Sequence, residues 1–215
     1  MTGDLLAGLA APSSETLADG AVLLRGFAAA DAPALLDGIA RIAAAAPFRH
    51  LVTPGGFRMS VAMTNCGGLG WVSDRRGYRY DPADPETGRP WPAMPAPFAA
   101  LAARAAEAAG FPGFAPEACL VNRYEPGTRL TLHQDRDEGN LAHPIVSVSL
   151  GVPATFLFGG PERKDRPRRI RVEHGDVAVW GGPARLVFHG IDTLKQGHHP
   201  LTGALRYNLT FRRAR

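Results

Sequence analysis

The stretch RYNLTFR at residues 206–212 carries the pattern that decides the fold class of this chain. Successive side chains of a β-strand point to opposite faces, so positions 207, 209 and 211 share an apolar face and the four even positions share a polar face. Polar side chains that face a protein interior need partners or a ligand to satisfy them. The stretch therefore predicts a strand with one face in a hydrophobic core and the other in a binding site.

From residue 120 onward, short runs of β-branched and aromatic residues alternate with Gly and Pro turns. Short strands at such regular spacing are typical of all-β folds, and here they favour a double-sheet jelly roll. The predicted fold class is mainly β, with flanking α-helices around a jelly-roll core. The predicted strands are 145–150, 155–158, 170–173, 177–180, 186–189 and 206–212.

Two helices are predicted in the N-terminal half of the chain. Asp31 is a candidate N-cap for a helix with an apolar stripe between positions 35 and 42, and Pro47 ends that helix. A second helix is predicted at about 96–109, before Gly110. We also predict a strand at 21–27 and expect about the first dozen residues to be mobile.

His133-Gln134-Asp135 is a candidate metal-binding motif, because residues 133 and 135 share one face of a strand. With the distant His189 they would complete a 2-His-1-carboxylate facial triad, which leaves open positions on non-haem Fe(II). A single H-x-D also arises by chance, and a histidine on a strand more often packs or lies at the surface. The polar face of residues 206–212 favours the metal interpretation.

Arg206 and Arg212 lie six residues apart, which is about 20 Å of strand at about 3.3 Å per residue. Two guanidinium groups that converge from those ends would leave room for a short dicarboxylate, with each carboxylate in a bidentate pair. An edge strand with solvated arginines is the alternative. Combined with an iron triad, a diacid clamp implies 2-oxoglutarate as the co-substrate.

Together with several other motifs, these motifs follow one another across about residues 20–212 in an order that is typical of a known family. In this respect the chain resembles the AlkB family of iron(II)/2-oxoglutarate-dependent dioxygenases, which dealkylate damaged nucleic-acid bases, and the bacterial members in particular. The motifs are PFR (47–49), TPGG (53–56), MSVAMTNCG (59–67), WPAMP (91–95), NRY (122–124), LHQD (132–135), SVSLG (147–151), HGDV (174–177), WGG (180–182), HGI (189–191) and RYNLTFR (206–212).

The resemblance implies a double-stranded β-helix core with an N-terminal nucleotide-recognition lid within residues 48–95. It also implies Fe(II), 2-oxoglutarate and molecular oxygen as cofactor and co-substrates. The implied reaction is oxidative demethylation of bases such as 1-methyladenine and 3-methylcytosine in DNA, or in RNA, with release of formaldehyde, succinate and carbon dioxide. The implied metal ligands are His133, Asp135 and His189; the implied 2-oxoglutarate contacts are Asn122 and Arg212 at the keto end and Tyr124, Arg206 and Asn208 at the far carboxylate.

For the substrate, the resemblance implies that Trp71 stacks on the damaged base opposite the ring of His133. Asp137 would accept a hydrogen bond from the exocyclic amine of the base. On its own, Trp71 would equally fit a residue that packs the lid. Phe57 stands where the bacterial relatives carry Tyr. The implied substrate contacts are Met63, Trp71, Tyr78, Asp137, Glu138 and Arg163, and the implied contacts to the nucleic-acid backbone are Thr53, Gly55, Gly56, Arg75 and Arg136, the last in place of Lys.

The net charge of +4 is concentrated in residues 163–171, where six basic residues and Asp165 give +5. Lys and Arg contacts to phosphates position proteins on nucleic acid, so this segment suits alkylated DNA or RNA as a partner. A solvated hairpin tip turned by Pro167 is the alternative. The target base would have to be single-stranded or flipped, because a duplex hides its Watson–Crick edge.

The 215 residues suit one domain, 1–215, with an N-terminal extension of two helices and the lid at about 13–115 and a catalytic core at about 116–213. No run of about 18 apolar residues occurs, so no membrane association is predicted. Two distant cysteines without a C-x-x-C motif indicate no disulfide bond and a cytoplasmic location. We expect a monomer.

Two other function classes remain open at the level of the sequence. A 2-oxoglutarate oxygenase that acts on a protein or a small molecule would keep the triad and the clamp without needing the basic segment. A non-catalytic nucleic-acid-binding module would keep the basic segment and tolerate broken metal ligands. All three ligands and both clamp arginines are present, which favours an enzyme that acts on nucleic acid.

Overall fold

A computed structural model describes residues 13–215, and the segment predicted to be mobile lies outside the described residues. In the described part, strands alternate with two α-helices in the N-terminal half and follow one another almost without helices in the C-terminal half. The elements are β1 Ser13–Ala18, β2 Ala21–Arg25, α1 Ala32–Ala45, β3 Ala62–Gly67, β4 Gly70–Asp74, β5 Gly77–Asp81, α2 Ala96–Ala108, β6 Ala118–Tyr124, β7 Leu130–His133, β8 Ile145–Gly151, β9 Ala154–Phe158, β10 Arg168–Val172, β11 Val177–Trp180, β12 His189–Ile191 and β13 Arg206–Arg212.

Two antiparallel sheets form the body of the molecule. The larger has seven strands in the order β1-β2-β11-β8-β13-β6-β3, and the smaller has four in the order β10-β9-β12-β7. Strands β4 and β5 form a separate hairpin. The prediction of a mainly β jelly roll with flanking helices is confirmed.

The larger sheet has a hydrophobic core on each face. On one face, helices α1 and α2 pack against residues such as Val148 and Leu209. On the other face, residues such as Phe156 and Trp180 fill the space between the two sheets. Strand β13 divides its side chains as predicted: Leu209 and Phe211 belong to the helix-side core, while the even positions are buried on the opposite side.

The helices differ from the prediction in one detail. The predicted ends agree with the structure to within two residues, but the side chain of Asp31 makes no capping hydrogen bond. Its carboxylate instead accepts a hydrogen bond of 2.7 Å from Arg104 on α2. Gly38 lets the two helices approach closely, since a β-carbon there would lie 2.6 Å from the ring of Phe98.

Two further predictions need correction. The strand predicted at 186–189 begins only at His189, because a 3-10 helix at Gly182–Ala184 precedes it and Val187 still donates to the carbonyl of Ala184. The segment 48–95 is less irregular than expected, since it contains β3, β4 and β5. Strand β3 pairs with β6 along its full length as an edge strand of the larger sheet.

The domain division at about residue 115 stays a prediction. Strands from both sides of that position share the larger sheet, since β2 pairs with β11 and β3 pairs with β6. Among residues 13–215, no helix combines the length and the apolar character needed to cross a membrane.

Candidate active site and metal centre

A cavity of about 910 Å³ opens between the two sheets and beneath the β4–β5 hairpin. Its size lies within the range of about 300–1,000 Å³ that is typical of ligand sites. The inner wall is formed by polar residues of β6 and β13, and the mouth by the segments around Thr53 and Trp71. The predicted site residues that line it are Thr53, Met63, Trp71, Tyr78, Asn122, Tyr124, His133, Asp135, Arg136, Asp137, Arg163, His189, Asn208 and Arg212.

His133, Asp135 and His189 meet on one side of this cavity. Strands β7 and β12 pair with His133 directly opposite His189, and the two imidazole centroids are 4.4 Å apart. Each histidine Nε2 lies 3.8 Å from a different oxygen of Asp135. One ligand atom from each residue lies within 4.8 Å of the other two, which suits a single ion between them.

The histidines present the correct nitrogen to a metal. Nδ1 of His133 lies 2.9 Å from the carbonyl oxygen of Thr131, and Nδ1 of His189 lies 3.1 Å from that of Val187. A proton on each Nδ1 satisfies these contacts and leaves Nε2 as a lone-pair donor, the arrangement that orients metal-binding histidines. Burial, assisted by the neighbouring His133, lowers the pKa of His189 to about 3, so its ring is neutral and ready to bind an ion.

Asp135 is held by Arg212 at the end of β13. The Arg212 guanidinium donates to both carboxylate oxygens at 2.9–3.0 Å, and both side chains are buried. Burial alone would raise the pKa of Asp135, but the charge and hydrogen bonds of Arg212, together with the neighbouring His189 and His133, outweigh burial and hold that pKa well below its usual range. The carboxylate is therefore ionised, as a metal ligand must be.

Arg206 is a buried cation with unused donors. Its Nε and Nη1 atoms have no hydrogen-bond partner in the described part of the chain, and Nη2 donates to Ser149 at 3.1 Å. Its guanidinium lies 4.8 Å from the ring centroid of Tyr124, whose hydroxyl is also buried and unpartnered. Burial lowers the pKa of Arg206. Unpaired buried donors are costly, so this corner is built for an anion that the protein itself does not supply.

The sequence profile of the "2OG-Fe(II) oxygenase superfamily" matches residues 20–212. The chain belongs to the 2OG-Fe(II) oxygenase superfamily. The AlkB proteins of Salmonella typhimurium and Escherichia coli are each 60% identical to this oxygenase, over 95% of its length and 94% and 95% of theirs. The resemblance to the AlkB family, and to its bacterial members in particular, is thus confirmed.

Two further comparisons extend the match. The protein "DNA N(6)-methyladenine demethylase ALKBH1D" of Arabidopsis thaliana is 40% identical to this oxygenase in the region they share. That region covers 47% of this chain and 25% of the Arabidopsis protein. The solved structure titled "The structure of OsALKBH1" superposes with a TM-score of 0.83 at 28% identity, over 94% of this chain and 100% of that one.

The protein is therefore an Fe(II)- and 2-oxoglutarate-dependent dioxygenase, and its residues fit both groups. The two neutral Nε2 atoms and the ionised carboxylate of Asp135 form the donor set expected for Fe(II). The unpartnered Arg206 nitrogens and Tyr124 hydroxyl suit a carboxylate of the co-substrate. Arg206 does not itself line the cavity; the ring of Tyr124, on which it rests, does.

The lid aromatics form a stack of their own. Trp71 on β4 and Tyr78 on β5 are 5.6 Å apart with their rings nearly parallel. The indole Nε1 donates 2.9 Å to the carboxylate of Asp137. Trp71 and Asp137 are thus neighbours at the mouth of the cavity.

Four of the residues expected to contact substrate or nucleic acid lie outside the cavity. Gly55, Gly56 and Arg75 lie at exposed turns, Arg75 between β4 and β5. Glu138 is buried, and its carboxylate is occupied by Tyr80 and Arg185. The structure therefore does not place Glu138 against a substrate, because protein groups already use its hydrogen-bonding capacity.

Two residues near the metal centre received no role from the sequence. Trp180 lines the cavity, its ring centroid lies 4.8 Å from that of His189, and its buried Nε1 has no partner among the described residues. Arg185 donates 2.5 Å to the backbone oxygen of Asp135. Trp180 stands in the WGG motif, which is a usable signal. Nothing in the sequence distinguishes Arg185, whose role depends on the fold.

The basic segment is only partly available to phosphates. Arg169 is paired with Asp192 and Arg171 with Glu173. Arg168 donates to the carbonyl of Leu17 and lies 3.4 Å from Glu15, and Lys164 lies 2.8 Å from Glu162. Within residues 13–215 only two basic side chains of this segment make no ion pair: Arg163, which rests on the ring of Phe188, and Arg166.

Proposed function

We propose that this oxygenase repairs nucleic acid by oxidative demethylation of N-alkylated bases such as 1-methyladenine and 3-methylcytosine. The observation that carries the proposal is the combination of the metal triad with Trp71 and Asp137 at the mouth of the same cavity. The name of the Arabidopsis relative, a DNA demethylase, supports the same substrate class.

Bound Fe(II), with 2-oxoglutarate and oxygen, would supply the oxidation of the N-methyl carbon, with succinate and carbon dioxide as by-products and formaldehyde lost from the oxidised carbon. His133, Asp135 and His189 hold the metal through neutral nitrogens and an ionised carboxylate. Arg206, Tyr124 and Asn208 bind the far carboxylate of the co-substrate, and Asn122 and Arg212 act at its keto end. Arg212 also keeps Asp135 ionised in the absence of metal.

The mouth of the cavity favours a methylated base for an electrostatic reason. Methylation at N1 of adenine or N3 of cytosine leaves the base cationic at neutral pH. A cation placed on the face of Trp71 and beside the carboxylate of Asp137 gains cation–π and Coulomb attraction that a neutral base lacks. Met63 and Tyr78 line the same region, and the ring of His133 offers a second face.

The substrate alternative, a protein or small molecule, is not favoured. The mouth of the cavity presents Arg129, Arg136 and Arg163 beside the aromatic lid. This combination suits a phosphate backbone with an extruded base better than a free metabolite. We propose that Thr53, Arg136 and Arg163 contact the backbone or its flanking nucleotides, with Gly55, Gly56 and Arg75 at the exposed rim of the lid.

The base must reach the metal from a single strand, or be flipped out of a duplex, because its methylated edge is otherwise paired. We propose that the active unit is a monomer, since one chain supplies all three metal ligands. Cys66 and Cys119 are both free thiols, which supports a reducing, cytoplasmic location.

The test is formaldehyde release from synthetic strands. We expect release from single-stranded DNA that contains 1-methyladenine or 3-methylcytosine, and none from the unmethylated strand of the same sequence. Comparing formaldehyde release from the same lesions in RNA and in duplex DNA ranks these nucleic acids as substrates. A wild-type protein that converts 2-oxoglutarate equally with and without the methylated strands, and releases no formaldehyde, refutes the proposal.

Trp71→Ala should lower the preference for the methylated over the plain strand by about 1–3 kcal/mol, the usual value of base–aromatic stacking. The salt dependence of binding should change little, because an indole carries no charge. Fluorescence anisotropy with both strands at several salt concentrations measures the two effects separately. Full discrimination by Trp71→Ala would place lesion recognition elsewhere.

A further inference from the structure

The β4–β5 hairpin is attached to the loop after the metal-binding triplet at two adjacent points. Trp71 on β4 and Tyr80 on β5 are direct cross-strand partners. The Trp71 indole donates 2.9 Å to Asp137, and the Tyr80 hydroxyl donates 2.5 Å to the next residue, Glu138. Two neighbours in the hairpin thus hold two neighbours in the loop, and the position of one bond constrains the other.

The two attachments differ in burial. Asp137 is exposed at the cavity mouth, so water and an incoming base can compete for its carboxylate. The Glu138 side chain is 2% exposed, and its bond to Tyr80 is shielded from such competition. A buried hydrogen bond to a charged acceptor contributes more than an exposed one. When a base takes Asp137, the Tyr80–Glu138 bond is the attachment that remains.

Glu138 is also linked to the metal ligand Asp135 through two arginines. Its Oε2 accepts 3.0 Å from Arg185, and its Oε1 lies 3.4 Å from Nε of Arg212. Arg185 in turn donates 2.5 Å to the backbone oxygen of Asp135, and Arg212 donates to the Asp135 carboxylate. One buried carboxylate therefore joins the lid hairpin to both arginines that hold the metal ligand.

We propose that Tyr80 and Glu138 are positioning residues that fix Trp71 of the lid relative to Asp135 of the metal centre. Through this contact, the ring of Trp71 keeps a fixed position relative to the metal ligand Asp135 while a base enters. The inference rests on the proposed function, since it concerns how the methylated base is held. It assigns Glu138 a role behind the substrate pocket in place of a direct substrate contact.

Tyr80→Phe tests the lid end of this contact, because it removes one hydroxyl and keeps the ring. Tyr207→Phe is the matched control, since the Tyr207 hydroxyl makes no hydrogen bond within residues 13–215. In metal-free protein we expect Tyr80→Phe to weaken binding of a fluorescent single strand with one 3-methylcytosine by about two- to tenfold, because Trp71 is then less firmly placed and must be ordered when the base binds. Tyr207→Phe should bind as the wild type does.

A double-mutant cycle with Trp71→Ala separates positioning from general destabilisation. If Tyr80 acts by placing Trp71, Tyr80→Phe should have no further effect on methylated-strand binding once Trp71 is absent. A merely structural defect would weaken binding by the same factor in both backgrounds, and that result would overturn the proposal. So would wild-type binding by Tyr80→Phe alone.

Glu138→Gln tests the metal end. The amide oxygen can still accept from Tyr80, but the negative charge that faces Arg185 and Arg212 is removed. We expect weaker Mn(II) binding, followed by calorimetry, with a smaller loss of strand binding than in Tyr80→Phe. Unchanged Mn(II) affinity in folded Glu138→Gln would overturn the link to the metal centre; if this variant does not fold, the Tyr80→Phe cycle decides alone.

The proposed function fails in a different way. In that case the wild-type protein itself would bind the methylated and the plain strand equally. If the wild type prefers the methylated strand and Tyr80→Phe matches Tyr207→Phe, only the positioning role is rejected.

Discussion

At the scale of single residues, the site contains charges that protein partners satisfy to different degrees. Arg212 has a full partner in Asp135, whereas two nitrogens of Arg206 have none in the described part of the chain. A buried cation without a partner destabilises a fold. The binding site for the co-substrate is thus maintained at a cost in stability that the bound anion offsets.

Arg206→Leu should separate the contribution of Arg206 to co-substrate binding from its cost to the stability of the fold. We expect the 2-oxoglutarate requirement to rise by more than tenfold, since losing one partner of a buried charge pair costs about 2–5 kcal/mol. The melting temperature of the ligand-free protein should stay level or rise, because an unpaired charge is removed. Steady-state kinetics and thermal unfolding with and without 2-oxoglutarate provide the two readings.

Arg206→Lys should rescue the 2-oxoglutarate requirement only in part, because an ammonium group cannot form a bidentate pair. Arg41→Leu, at an exposed position of α1, is the control for loss of a positive charge. An unchanged 2-oxoglutarate requirement in Arg206→Leu would contradict the assignment of this corner to the co-substrate.

His189→Ala should abolish 2-oxoglutarate turnover, because it removes one of three protein ligands from a partly open metal site. The fold should stay close to wild type, since the neighbouring His133 and Asp135 remain. Succinate release and Mn(II) binding measure the effect, and circular dichroism checks the fold. Wild-type succinate release with added Fe(II) would show that the triad is misassigned.

At the scale of elements, the metal site depends on how closely β12 approaches β7. Gly190 follows His189, and a β-carbon there would lie 2.6 Å from the carbonyl oxygen of Leu130 on β7. Two backbone segments cannot move apart locally without shifting the side chains they carry. The absence of a side chain at this position therefore keeps His189 opposite His133.

Gly190→Ala should weaken Mn(II) binding while most of the fold is retained, because the clash separates β12 from β7 at the metal ligands. Gly68→Ala is the matched control, since the nearest atom to a β-carbon there lies 3.9 Å away. Calorimetric titration with Mn(II) compares the two variants. Equal Mn(II) affinity for both would show that the strands adapt without moving the ligands.

At the scale of the whole molecule, the net charge of +4 does not show which basic side chains are free, because the fold pairs many of them with acidic residues. Most of the basic segment forms ion pairs with acidic residues, some of them distant in the chain, such as Asp192 with Arg169. Arg163 and Arg166 make no such pair within residues 13–215, and Arg163 also lines the cavity. These two side chains are the ones available to a phosphate backbone.

Replacing Arg163 and Arg166 together with Ala should weaken binding to methylated and plain single strands alike. The slope of log affinity against log salt should fall by about 0.7 for each phosphate that the protein no longer neutralises. Lesion preference should be kept, because phosphate contacts position the strand whereas base contacts specify it. Anisotropy titrations over a salt series measure the slope, with exposed Arg41→Ala as the control; an unchanged slope would mean that the segment does not face the nucleic acid.

Much of the fold and the site could be predicted from local patterns. Alternation with a period of two located β13 to the residue, and apolar spacing with Pro and Gly boundaries located both helices. The triad was predictable because His133 and Asp135 share a strand face and because His189 belongs to a recognisable motif. These features depend on neighbouring residues in the chain, so the sequence by itself determined them.

Other features depend on contacts between distant segments, and only the tertiary structure decided them. Glu138 lies beside Asp137 in the sequence, yet burial against Tyr80 and Arg185 directs it away from the cavity. Arg168 and Arg169 carry the same charge as Arg166, but acidic partners from elsewhere in the chain reach only the first two. Whether a charged side chain meets a ligand or a protein partner depends on which distant residues the fold brings within about 4 Å, and no local pattern contains that information.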